Sequence, residues 1–117
     1  MIELDSIADI ISDMQEIAPT EEDYYPEDCP TPYIVVRTPN AEYYGDDNIN
    51  RIRRQTILIN VFVDAADKYG QIIERVRKYF AAVPYKYRET TYGYNQLFEA
   101  EFEVVAEMPL NDEGGIL

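Results

Sequence analysis

Hydrophobic and polar positions follow two distinct periods along this chain, and the longest strand-like run is Arg51–Asp64, RIRRQTILINVFVD. Ile57, Ile59, Val61 and Val63 fall on one side of a period-two strand, with Leu58 and Phe62 on the other. A strand apolar on both sides in its second half is a covered, central one. Its first half, with Arg51, Arg53 and Arg54, must reach solvent or an acidic partner. Helical spacing appears twice. Ile7, Ile10, Ile11, Met14 and Ile17 predict an amphipathic helix over Glu3–Ala18, stopped by Pro19. After the central strand, Tyr69, Ile72, Ile73, Val76, Tyr79, Phe80 and Val83 predict a second helix, capped by Asp64 or Asp67 and ended by Pro84.

Between the first helix and the central strand, the pattern predicts less order. Thr20–Pro32 has no period and contains Pro26, Pro30 and Pro32, so it reads as an extended surface loop. Its adjacent Tyr24 and Tyr25 suit either a contact patch or partial burial against the domain's own edge. Tyr33–Arg37 (YIVVR) reads as a short strand followed by the turn residues Pro39 and Asn40. Glu42–Asn50, with Tyr43, Tyr44, Gly45, Asp46, Asp47 and Asn48, reads as a turn between antiparallel strands. A calcium loop needs ligands at alternating positions and a distant bidentate Glu, which this stretch lacks.

The last unit predicts a hairpin, Tyr85–Tyr92 against Asn95–Met108, around Gly93-Tyr94 as a two-residue type II′ turn. Tyr92 then faces Asn95, Arg88 faces Glu99, Lys86 faces Glu101 and Tyr85 faces Phe102. A shift of one residue would lose those opposite-charge pairs. Phe98, Ala100, Phe102, Val104 and Ala106 form the buried side, with Glu99, Glu101, Glu103 and Glu107 outside. The fold class is therefore α+β, in the order α-β-β-α-β-β, with a mostly antiparallel sheet and both helices on one face. Residues 1–108 make one domain and 109–117 a flexible tail.

Charge refines this picture. The 117 residues carry a net charge of −13, placed unevenly. Met1–Asn50 holds thirteen acids against Arg37 alone, while Arg51–Glu107 has nine basic and eight acidic residues. Phosphate contacts need clustered Lys and Arg, so this acidic balance disfavours sequence-specific nucleic-acid binding. An acidic half can meet a basic surface, repel DNA or maintain solubility.

Candidate chemistry is sparse. The chain has one cysteine and no histidine, so an internal disulfide framework and a usual zinc site are excluded. Nothing around Cys29 lowers its pKa toward a nucleophile. No nucleophile elbow or Gly-rich phosphate loop occurs, and the carboxylates lie in loops and on outward faces. The expectation is a non-enzyme without cofactors. Acidic residues replace a basic signal-peptide start, and no apolar run is long enough for a membrane span; the chain reads as soluble and made intracellularly.

Pro32-Tyr33-Ile34-Val35, the acidic turn Tyr43-Tyr44-Gly45-Asp46-Asp47-Asn48, and the strand Ile57–Asp64 running into a helix resemble small tail proteins of long-tailed bacteriophages and prophages. These are the tail terminator, or tail-completion and tail-to-head joining, proteins. The resemblance spans roughly Met1–Met108 and rests on element order, length and a degenerate motif. It implies a structural virion protein made in the host bacterial cytoplasm and located in the virion tail. It also implies a homo-oligomer, a hexameric ring that caps the tail tube and meets the tail tube and head-connector proteins. An acidic lumen would let DNA pass. A head-closure or neck-adaptor role is the near alternative, and an acidic DNA-mimic inhibitor the distant one. The interface candidates are Arg51, Arg53 and Arg54 against an acidic neighbour, with Tyr43, Tyr44, Asp46, Asp47, Tyr24 and Tyr25 as loop contacts.

Overall fold

The computed structural model describes residues 2–3, 7–22, 31–45, 52–64, 70–93 and 97–109. Within them the chain folds as an α+β domain: seven strands in one mixed, mostly antiparallel sheet and two helices. The strands are β1 (Ile2–Glu3), β2 (Thr20–Glu22), β3 (Tyr33–Arg37), β4 (Ala41–Tyr44), β5 (Ile52–Asp64), β6 (Lys86–Tyr92) and β7 (Leu97–Pro109); the helices are α1 (Ile7–Gln15) and α2 (Gln71–Tyr79).

The predicted central strand is central. β5 pairs antiparallel with β7 along all 13 of its residues, a ribbon about 44 Å long. On its other side β5 pairs first with β4 and then with β3. Ile57, Ile59, Val61 and Val63 join Ala100, Phe102 and Val104 of β7 in the main core, against Ile10 and Met14 of α1 and Ile73 and Val76 of α2. Both helices therefore cover one face of the sheet. Phe62 points the other way, into a smaller cluster with Tyr33, Val35 and Leu97.

Several local expectations are corrected. The first helix is shorter than Glu3–Ala18, because Ile2 and Glu3 pair in parallel with Ala106 and Glu107 of β7. At its far end Ile17 N–H donates to Met14 O at 2.9 Å, an i→i+3 bond that tightens the turn before Pro19. Thr20–Glu22 is not loop but the edge strand β2, parallel to β3; residues 23–30 lie outside the described residues. α2 starts after Gly70, which makes no side-chain cap bond. Asp64 is instead the last residue of β5 and accepts a hydrogen bond from Thr31 Oγ1 at 2.9 Å; Asp67 lies outside the described residues. Pro109, expected in the tail, ends β7 opposite Ile52.

The expected turn at Pro39 and Asn40 is a bulge. Arg37 pairs with Leu58 and Ala41 with Gln55, so three residues on one strand oppose two on β5. β3 and β4 are thus one interrupted strand, broken where Pro39 has no N–H to donate. The Asn40 carbonyl accepts from Thr56 N–H at 3.2 Å and from Gln55 Nε2 at 2.6 Å. That second bond explains why a glutamine, 2% exposed, is tolerated at a core-facing position. Tyr43 and Tyr44, expected in a turn, belong to β4.

The last hairpin forms in a different register from the one expected. Tyr92 pairs with Leu97, Arg88 with Glu101, Tyr87 with Phe102 and Lys86 with Glu103. Tyr92 is thus not paired with Asn95; Tyr94, Asn95 and Gln96 lie outside the described residues. A shift of two residues keeps every side chain on its face and keeps cation opposite carboxylate, so charge pairing could exclude a one-residue slip but not this one. Packing decides it: Tyr87 and Tyr85 both meet Phe102, with ring centroids 5.0 and 5.3 Å away.

Candidate interaction surface

The ribbon β5–β7 runs past the part packed under the helices, and β4 flanks that far end. The bulge decides what it displays. By shifting the alternation by one residue, it pairs Tyr43 with Arg53 and Glu42 with Arg54. Adjacent residues of a strand face opposite ways, so Arg53 and Arg54 do not form one cluster. Arg53 lies with Tyr43 on the helix side and donates from Nη2 to Gln55 Oε1. Arg54 lies on the open side, where Nη2 meets Glu107 Oε1 at 2.8 Å. Tyr43, 52% exposed, and Ile52, 38% exposed, are large hydrophobic side chains left in solvent at this end. Tyr44 pairs with Ile52 along the ladder. Arg51, Asp46, Asp47, Tyr24 and Tyr25 lie outside the described residues.

The open face of the sheet carries a polar network that sequence reasoning missed. Asn60, 2% exposed, donates from Nδ2 to Glu99 Oε2 at 2.6 Å and to Glu101 Oε2 at 2.9 Å. Its Oδ1 accepts from Arg37 Nε at 3.3 Å. Arg37 and Arg88 both reach Glu101, at 3.4 and 2.6 Å, and Tyr92 Oη donates to Glu99 Oε1 at 2.7 Å. Lys86 approaches Glu103 at 3.8 Å. The available signal was Asn60, a lone polar residue in the apolar run Ile57–Val63. The glutamates expected to point outward do so, and each of these four, Glu99, Glu101, Glu103 and Glu107, has a partner within the chain.

On the helix side, Tyr79 Oη donates to Asp13 Oδ2 at 2.6 Å and Arg75 Nη2 to the Glu16 carbonyl at 3.1 Å, tying α2 to α1. Burial raises the Tyr79 phenol above its ordinary range, and the bond to Asp13 adds to this. Burial also pushes Tyr87 up to about 12, reinforced by its bond to Glu89 and opposed by Arg77. A groove of about 470 Å³ lies between the helices, lined by Asp13, Glu16, Ile17, Arg75, Lys78 and Tyr79. A second concavity of about 350 Å³ opens beside Thr31, Asp64 and Gln71. Among the described residues no three His, Cys, Asp or Glu side chains are grouped to hold a metal ion. None of the described helices is long and apolar enough to cross a membrane. No family model matches the chain, and no curated protein matches it.

Proposed function

We propose that the protein is a structural, non-catalytic virion assembly protein: a ring-forming tail terminator or tail-completion protein that caps a phage or prophage tail tube and joins it to the head connector. The reading rests on the resemblance in element order and in the Pro32–Val35 and Tyr43–Asn48 segments. The observation that carries it is the far end of the β5–β7 ribbon, which presents exposed Tyr43 beside Arg53 on its helix side and exposed Ile52 on its open side, in a chain of net charge −13. A rigid strand pair bearing an aromatic, an aliphatic and a cation suits a protein contact, here with an adjoining acidic surface. A DNA-mimic role is disfavoured by the same face that first suggests it. A phosphate mimic needs uncompensated carboxylates, whereas Arg37, Arg54, Lys86 and Arg88 pair with the glutamates of β7.

The test is mass measurement and negative-stain microscopy of the purified protein, with tail morphology in a host lacking it. Rings on tail ends, and overlong or headless tails without the protein, are the expected outcome. Tyr43→Ala with Ile52→Asp should reduce tail capping strongly while leaving the fold intact. Normal tails and normal head attachment in that variant, or in the deletion, would overturn the reading. Arg54→Glu is a poor probe, because it would set a like charge against Glu107 within the subunit.

A further inference from the structure

Among the described residues four strands have an outer side that pairs with no other strand, β2 and β4 along one edge of the sheet and β6 and β1 along the other; of these, β2 and β6 lie at the end packed under the helices. The directions are compatible with joining. β2 runs parallel to β3, and each following step, β3 to β5, β5 to β7 and β7 to β6, is antiparallel. β2 and β6 therefore run oppositely, as an antiparallel pair requires. Their rows also match. Glu21 lies in line with Val35, Asn60, Glu101 and Arg88; Glu22 lies in line with Val36, Ile59, Phe102 and Tyr87.

We infer that β6 of one copy pairs with β2 of a second copy of this chain, without stagger, so that the sheet continues from subunit to subunit. In this register Arg88 meets Glu21 of the next copy on the open face. Glu22 meets Tyr87 on the helix face, where the Arg77 guanidinium lies 4.9 Å from the Tyr87 ring centroid. Both acids of the short β2 edge thus gain a cation from the other edge, and Thr20 meets Glu89. Edge charges ordinarily block such pairing; opposite charges on the two edges block like-with-like contacts and permit this one. The contact is heterologous, so its repetition closes into a ring or extends as a filament. It names the subunit contact of the ring proposed above and rests on that reading for closure. With only three residues in β2, a single contact is weak, and closure supplies the avidity.

Opposed residues of an antiparallel pair have Cβ atoms about 4.5–5.5 Å apart, near disulfide reach. In a Cys29→Ser background, Glu21→Cys with Arg88→Cys should give a ladder of covalent oligomers under mild oxidation. Each single cysteine variant should stay monomeric on a non-reducing denaturing gel. Separately, Glu21→Arg sets a like charge against Arg88 across the contact and leaves the Arg88–Glu101 pair within the subunit in place; it should weaken self-association about tenfold or more in mass photometry. No ladder, dimers from Arg88→Cys alone, or unchanged self-association of Glu21→Arg would overturn the inference. Tail-bound rings without the ladder would sink this contact and leave the tail role standing. A ladder from a protein that never binds tails would do the reverse.

Discussion

Asn60 shows how one buried polar side chain organises a surface. Its amide holds two glutamates of β7 and accepts from Arg37, so three charged groups converge on a residue that an apolar strand would not otherwise contain. Asn60→Ala should destabilise the domain by about 1–3 kcal/mol, because two half-buried carboxylates lose their donor; urea denaturation measures this. Tyr87 offers a residue-level pH test. Its folded-state phenol is pushed up to about 12, while an unfolded tyrosine titrates near about 10. Above that lower value the folded state keeps a proton that the unfolded state releases. The stabilising contribution is therefore full below the unfolded pKa and is lost as pH rises toward the folded one. Tyr87→Phe should flatten the alkaline fall in the urea midpoint over that window.

The helices illustrate how much an element owes to its neighbours. α2 has nine residues and no side-chain N-cap, shorter than the roughly 12–15 residues at which an isolated helix becomes even marginal. Its order comes from Ile73 and Val76 in the core and from Phe80 just beyond its end, which packs 6.4 Å from Phe102 between ring centroids. A peptide spanning 70–83 should show little helical circular dichroism in water. Phe80→Ala in the intact protein should cost about 3–5 kcal/mol, read as a loss in melting temperature. The last hairpin makes a related point. Cross-strand charge is periodic by two and cannot distinguish registers that differ by two, whereas the stacking of Tyr85 and Tyr87 about Phe102 can.

At the scale of the molecule, β5 and β7 form the axis, and cover is uneven along it. Residues 57–63 of β5 lie under both helices, while its first residues, between β4 and β7, run past that cover and carry exposed Ile52. Hydrogen exchange should accordingly be slowest at Ile57–Val63 and faster at Ile52–Arg54, in line with local unfolding from the less packed end; uniform protection along β5 would contradict this. The graded ribbon matches the proposed division of labour, with a packed body at one end and a contact strand at the other. It places the β2 and β6 edges at the packed end, where a continued sheet would be rigid.

The amino-acid pattern alone determined that Ile57–Val63 is a covered strand, that two segments form amphipathic helices, and that alternate residues of β7 build the core. Each follows from local periodicity: a stripe of buried side chains must recur every two or every 3.6 residues. Tertiary structure decided what periodicity cannot encode. A one-residue bulge at Thr38–Asn40 set Tyr43 opposite Arg53. Strands of two and three residues, Ile2–Glu3 and Thr20–Glu22, are too short to carry a pattern and exist only because β7 and β3 offered them hydrogen-bonding edges. The same cause set the hairpin register, put Asn60, Glu101 and Arg88 in one row, and brought the Arg37 side chain to them. Those neighbours are fixed by pairing between distant segments, whose free energy lies in contacts that no single window of sequence contains.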